Sequence, residues 1–286
     1  ISLYPGVHKG HDVHRHTILH KLLSDTLTSL NVDPLSISDI WDDKNLLLSA
    51  ILHGPVSVDR LDFVRRDTIY TVTSHFGYLD ADRIISESSI HVKDDGTKVL
   101  AYNEKIIPDA IQGLESRLHN YNRVYHHKTV IAASLLIEAA IQSAAPYMNY
   151  VEQCKDMDKF IYLNDSVLDQ ILSSTEPELE KARYYARRLY HRELPKLVSE
   201  KVIYLSPENK IDHPPNINID QNTGLITWTG RILSNDFVKE FAKYDIHVVT
   251  KDGTIPFVNY WKTKYPYYRF ETYYTKRIYS LNSNDI

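Results

Sequence analysis

Ser57-Val-Asp-Arg-Leu-Asp-Phe-Val-Arg-Arg-Asp67 carries three carboxylates and three arginines in eleven residues, interleaved with Val58, Leu61, Phe63 and Val64. The apolar spacing predicts a helix, in which each residue turns by about 100°. Asp62 and Phe63 then lie one turn from Asp59, and Arg66 and Asp67 return to the same side two turns on. If the acidic side of this helix packs inward, a metal, an arginine or a proton must neutralise it. If that side faces water, i,i+4 ion pairs suffice. The stretch alone leaves both readings open.

The chain of 286 residues is long enough for one large domain and a smaller lobe. Its 43% hydrophobic and 24% charged content is that of a globular protein. A net charge of −4 gives no global basic field for nucleic acid, which is therefore not indicated as a partner. The single cysteine, Cys154, excludes a disulfide framework and suits an intracellular compartment, cytoplasm or nucleus. The apolar run from Thr129 to Met148 is broken by Glu138 and Gln142, which predicts a buried helix and no membrane span.

Before the central stretch, apolar spacing predicts helices over 13–30 and from 36 or 38 to 53, separated by Asp33-Pro34 and stopped by Gly54-Pro55. His8, His11, His14, His16 and His20 are close enough to gather a metal, but they match no standard zinc spacing. After it, Asp94-Asp95-Gly96 predicts a turn between two extended runs. The longest predicted helix runs from Pro108 to Ala145, and it places Arg117, Tyr121 and Tyr125 within about 80° of one another. A capped helix is expected after Asn164 or Asp165, and another after Thr175-Glu-Pro-Glu178. On the latter, Arg188, Arg192 and Lys196 are four apart and predict one cationic stripe, able to bind phosphate or to pair with acidic neighbours. Beyond Ser199, prolines at 207, 214 and 215 and the turns Asn222-Thr-Gly224 and Lys251-Asp-Gly253 predict strands with one helix near Asp236–Lys243. The fold class is mainly α: a helical body over residues 1–200 and a small α+β carboxy-terminal lobe over 201–286.

Several of these residues recur together in a known family. Val58-Asp-Arg-Leu-Asp-Phe-Val-Arg-Arg-Asp67, then Asp80-Ala-Asp-Arg83, then Arg117 with Arg123, Tyr125, His127 and Lys128, resemble the ordered motifs of HD-domain phosphohydrolases that act on deoxynucleoside triphosphates. Residues 157–198 look especially like the animal SAM-and-HD-domain branch. The likeness covers residues 11 to about 200 well and the rest loosely.

The resemblance implies an HD-type helical body and hydrolysis of a dNTP to a deoxynucleoside and inorganic triphosphate. Asp59 would be the last ligand of a divalent metal (Mg, Mn, Fe or Zn). His11 and Asp12 would match a catalytic His-Glu pair, with His16-Thr17 as the other alignment. Arg60 and Arg117 would hold the triphosphate. Asp67 and Tyr125 would touch the deoxyribose, and Phe63 and His126 replace a tyrosine and a glutamine. Arg83, Arg123, His127, Lys128, Arg192 and Lys196 would match contacts to a regulatory GTP or dNTP in a dimer or tetramer; Tyr102 departs from an arginine there. The family's other metal ligands precede the region matched by His11, before which only ten residues stand. With the Ile start, this leads to the expectation that the amino-terminal part lies outside this chain. The alternative is an inactive HD-fold homologue serving as a nucleotide-binding or structural scaffold subunit.

Overall fold

The computed structural model describes residues 10–71, 79–204, 216–220, 224–232, 237–267 and 273–281. His8, the proline cluster at 207–215, Asn222-Thr223 and Asp236 lie outside the described residues.

Helix α1 (Gly10–Thr17) runs into a π turn over Ile18–Leu22, and α2 (Ser24–Ser29) follows. The continuous helix expected over 13–30 is therefore interrupted: Leu23 N–H reaches back five residues to the Ile18 carbonyl (3.2 Å). Of its expected apolar face, Leu19 is buried while Leu22, Leu23 and Leu30 are exposed. The second expected helix is two. In α3 (Pro34–Trp41), Asp33 accepts from Leu35 N–H and Pro34 occupies the first turn, where it forfeits no helical bond. In α4 (Leu46–His53), Asn45 caps Leu48 N–H. The break between them holds Asp43 in the left-handed region (φ 57°).

The central stretch forms α5 (Val58–Tyr70), with Ser57 capping Arg60 N–H at 3.3 Å. Its buried face is Leu61, Val64 and Thr68, while Asp59, Asp62, Arg65 and Arg66 face solvent. Asp62 and Arg66 form an i,i+4 pair at 3.1 Å. Solvent exposure thus accounts for most of this helix's charge, with Arg60 and Asp67 as the half-buried exceptions.

Asp80 caps α6 (Ala81–Ser86). Strands β1 (Ser88–Val92) and β2 (Lys98–Asn103) form an antiparallel hairpin at the expected turn, where Gly96 adopts φ 82°. Helix α7 (Ile107–Asn120), a π turn over Tyr121–Tyr125 and α8 (Lys128–Met148) replace the single long helix expected from 108 to 145. The break falls at His127, whose extended backbone (φ −62°, ψ 138°) and side chain cap α8. Then follow α9 (Tyr150–Lys155), α10 (Met157–Phe160), α11 (Val167–Ser173) and α12 (Glu180–Tyr190).

The remaining elements are β3 (Lys196–Tyr204), β4 (Asn216–Ile219), β5 (Leu225–Ile232), α13 (Phe237–Lys243), β6 (His247–Thr250), β7 (Gly253–Pro256), α14 (Phe257–Lys264) and β8 (Tyr273–Ser280). They are shared between two four-stranded sheets, ordered β1-β2-β6-β7 and β3-β8-β5-β4. The β2–β6 pair is parallel and starts at Ala101↔His247; the other pairs are antiparallel. The fold is mainly α, with its strands drawn largely from the carboxy-terminal third.

One core joins Leu61 and Val64 of α5, Ile107 and Ile111 of α7, and Phe241, Val248, Phe257 and Trp261 from the carboxy-terminal elements. Burying such side chains stabilises by about 1.5–3 kcal/mol each. A second core packs α8 on α12 through Ala139, Ala140, Ala144, Ala182 and Ala186, small residues that let the two axes approach closely. A third seats Ile131 and Leu135 of α8 on Ile226, Trp228 and Tyr279 of the second sheet. Helix α8 is long and apolar enough to cross a membrane by composition. Here it is the shared spine of two cores, and Leu135, Leu136, Ala140 and Ala144 are fully buried.

Candidate functional site

Helices α5 and α7 pack together, which brings Asp67 near the π turn that follows α7. The Tyr125 hydroxyl donates to Asp67 Oδ2 in a short hydrogen bond. Burial, and then the Asp67 carboxylate, raise the phenol's pKa well above its ordinary value, so Tyr125 is a neutral donor at physiological pH. Tyr121 packs edge-on against Tyr125 with centroids 5.0 Å apart. The Arg117 guanidinium lies 5.4 Å from the Tyr121 ring centroid, within cation–π range. Arg117 Nε is buried with no hydrogen-bond partner. Arg117, Tyr121, Tyr125 and Asp67 therefore form one continuous row, as the spacing of the first three predicted.

Arg60 and Arg117 line one narrow, mainly apolar crevice of about 10 Å³ between α5 and α7, walled by Leu61, Val64, Leu79 and Gly113. Arg60 Nη1 donates to Glu240 Oε2 of α13 at 2.7 Å. Phe63 is placed elsewhere: it packs, half-buried, against the first core. His126 ends the π turn with its ring edge-on to Tyr121 (5.6 Å) and Trp228 (5.1 Å). Its pKa is lowered by burial and then by the Arg277 charge, and its Nδ1 is buried without a partner. Arg277 donates to the His126 carbonyl and to Glu200 and lies over the Trp228 ring. Sequence reasoning missed Trp228, Arg277, Glu200 and Glu240. They come from the carboxy-terminal strands and α13, where no local pattern marks them.

Asp59 sits in the first turn of α5, exposed to solvent, where the helix dipole favours a carboxylate. No group of three or more His, Cys, Asp or Glu side chains suited to a metal occurs among the described residues. These residues alone do not fit the divalent ion that the motif resemblance implies. His11 and Asp12 lie on α1, and their side chains are outside the described set. The other alignment, His16, is engaged elsewhere, with Asp42 at 3.2 Å and the Ser38 hydroxyl at 3.3 Å.

The expected phosphate-binding cations divide into groups. Arg83 pairs with Asp109 at 3.4 Å. Arg123, His127 and Lys128 are exposed around the π turn and the start of α8, and His127 Nδ1 accepts from Thr129 N–H. The helical stripe of Arg188, Arg192 and Lys196 does not form, because α12 ends at Tyr190. Arg192 has left-handed backbone (φ 58°), and Lys196 opens β3. Arg188 turns inward and donates to the carbonyls of Leu281 (2.8 Å) and Glu193 (3.1 Å) and to the Tyr184 hydroxyl (3.2 Å). Arg183 likewise holds the carbonyls of Ser174 and Glu176. Tyr102 is buried on β2 and donates to the Val56 carbonyl, so it faces no ligand there.

No family model matches the chain. It is 28% identical over 184 residues to a Dictyostelium discoideum protein named deoxynucleoside triphosphate triphosphohydrolase SAMHD1 homolog, covering 64% of this chain and 31% of that one. It is 24% identical over 212 residues to the Danio rerio deoxynucleoside triphosphate triphosphohydrolase SAMHD1, covering 69% and 33%. It is 26% identical over 170 residues to an Acanthamoeba polyphaga mimivirus protein named as HD domain-containing, covering 54% and 35%. The chain thus spans about a third of the length of these relatives. Its motifs, its mainly helical fold and these comparisons agree: the chain is distantly similar to HD-domain proteins, among them ones named as deoxynucleoside triphosphate triphosphohydrolases.

Proposed function

We propose that this chain carries the sugar- and phosphate-holding side of a site that hydrolyses a dNTP to a deoxynucleoside and inorganic triphosphate. One observation carries the reading. Two motifs far apart in sequence supply Asp67 and Tyr125, which touch, and Arg60 and Arg117, which flank one narrow crevice. In this reading Asp67 accepts the deoxyribose hydroxyl and the neutral Tyr125 phenol fixes the carboxylate's orientation. A tight fit of the sugar against Asp67 and Tyr125 in this reading excludes a 2′-hydroxyl. Arg60 and Arg117 neutralise a phosphate chain through charge-assisted bonds. The proposal extends to an intracellular homo-oligomer, dimer or tetramer. There Arg123 and Lys128 offer exposed cations, and His127 an exposed imidazole, to a regulatory GTP or dNTP.

The test is equilibrium binding of a dNTP and of the matching ribonucleotide to the purified chain. Preferential binding of the dNTP is expected, lost in Asp67→Asn and weakened at least tenfold in Arg117→Gln. Equal affinity for the two nucleotides, unchanged by either substitution, would overturn the reading. A second reading, a nucleotide-binding scaffold without turnover, is favoured by the exposure of Asp59 and the absence of converging ligands among the described residues. Triphosphate release from the gene product carrying any upstream residues, with manganese or magnesium, decides between the two.

A further inference from the structure

Arg60 and Arg117 flank the narrow crevice between α5 and α7, and they are not equivalent. Arg117 has its Nε buried without a partner, whereas Arg60 is held by Glu240 at 2.7 Å. These two partners are 180 positions apart, and the pair is partly buried, with Arg60 19% and Glu240 40% exposed. The carboxylate is not on a loose segment. Next to it on α13, Phe241 is fully buried and stacked on Phe257 with centroids 3.7 Å apart. One turn on, Lys243 pairs with Asp43 at 2.6 Å. Helix α13 is thereby anchored just after Glu240, and Val238 just before it packs against the first core.

We propose that Glu240 is an internal competitor for the phosphate chain, a specificity-determining residue that any ligand must displace from Arg60. The inference rests on the reading of Arg60 and Arg117 as phosphate contacts. Ligand binding at Arg60 is an exchange of partners. With Glu240 in place, Arg60 is neutralised by one negative charge and its desolvation is compensated. A triphosphate, carrying about four negative charges, offers a stronger charge-assisted partner and releases Glu240 to solvent, where it is readily hydrated. Ligands that cannot reach Arg60 leave the pair with Glu240 intact.

The test uses inorganic tripolyphosphate as the probe, titrated into the full chain by calorimetry at fixed ionic strength with EDTA, so that no metal is needed. Glu240→Gln is expected to bind about two- to fivefold more tightly than the wild type, the range set by a partly exposed ion pair. Arg60→Gln is expected to bind more weakly, and adding Glu240→Gln to it is expected to change nothing further. The same Glu240→Gln chain melts slightly earlier than the wild type, so affinity and stability move in opposite directions. Loss of a merely structural contact would lower both. Glu240→Ala serves as a second variant with the same expectation. Wild-type binding that weakens in Arg60→Gln but is unchanged or weaker in both Glu240 variants would overturn the inference and leave the functional reading standing. Absence of binding in every variant, or binding indifferent to Arg60 and Arg117, would overturn both.

Discussion

The Tyr125 hydroxyl and Asp67 Oδ2 meet in a hydrogen bond that spans 58 positions and ties the end of one motif helix to the π turn after the other. The bond has a defined polarity, because the raised phenol pKa keeps the proton on Tyr125 and the charge on Asp67. Tyr125→Phe leaves a half-buried carboxylate without its donor. Unfolding in urea should show a loss of about 1 kcal/mol. If Asp67 holds a sugar hydroxyl, the same variant loses discrimination between deoxy- and ribonucleotides, which competition binding would reveal.

Glu138 predicts a pH dependence. It is buried within α8, where Gln142 donates to it at 3.0 Å, and burial pushes its pKa up to about 7 from 4.5. In this window the folded chain binds a proton that the unfolded chain has released. Stability from this group is therefore complete below about pH 4.5 and lost as pH rises through about 7, by at most about 3 kcal/mol. Glu138→Gln should abolish that loss. The measurement is the difference in urea midpoint between wild type and variant at pH 5 and pH 8, which should widen in the variant's favour at the higher pH.

Arg188 and Arg192 are predicted to behave oppositely. Arg188→Ala strands the Glu193 and Leu281 carbonyls and should destabilise by about 2–3 kcal/mol, read as a lower denaturation midpoint. Arg192→Ala should stay within about 0.5 kcal/mol of wild type, since its side chain is exposed and the left-handed backbone disfavours Ala and Arg alike.

Assembly is a matter for sedimentation. If a regulatory nucleotide bridges copies through the π turn and the start of α8, GTP or a dNTP should raise the sedimenting mass. Arg123→Glu with Lys128→Glu should cancel that shift without changing the melting temperature by more than a few degrees. A mass distribution indifferent to nucleotide in the wild type would remove these cations from any regulatory role.

How much of this was legible in the sequence depended on range. The hairpin at Asp94-Asp95-Gly96 and the helix over Val58–Tyr70 were readable because turn chemistry and apolar spacing act over a few residues. The row of Arg117, Tyr121 and Tyr125 was readable for the same reason. The break at His127 was not, because it depends on a capping side chain and on Arg277 engaging the His126 carbonyl from 151 positions away. The cationic stripe failed similarly: four-residue spacing is informative only while the helix lasts, and Arg188 found carbonyl partners across the fold. For the charge of α5 the sequence left an inward and a solvated reading open. The structure gives Asp59 to solvent and reserves Asp67 and Arg60 for contacts with other elements.

The parallel pairing of β2 with β6 sets an order of events during synthesis. Asn103 leaves the ribosome long before Val249, its partner in that ladder, exists. Until then β2 has one side satisfied by β1 and the other open, and Ile107 and Leu61 lack the aromatic residues of α13 and α14 that cover them. Such late, non-local closure slows folding and leaves an edge able to pair with another chain. A nascent chain stalled before His247 would display that edge. The helical half of this molecule is thus a dependent of its own carboxy-terminal third, and quality control in the cell would see the two stand or fall together.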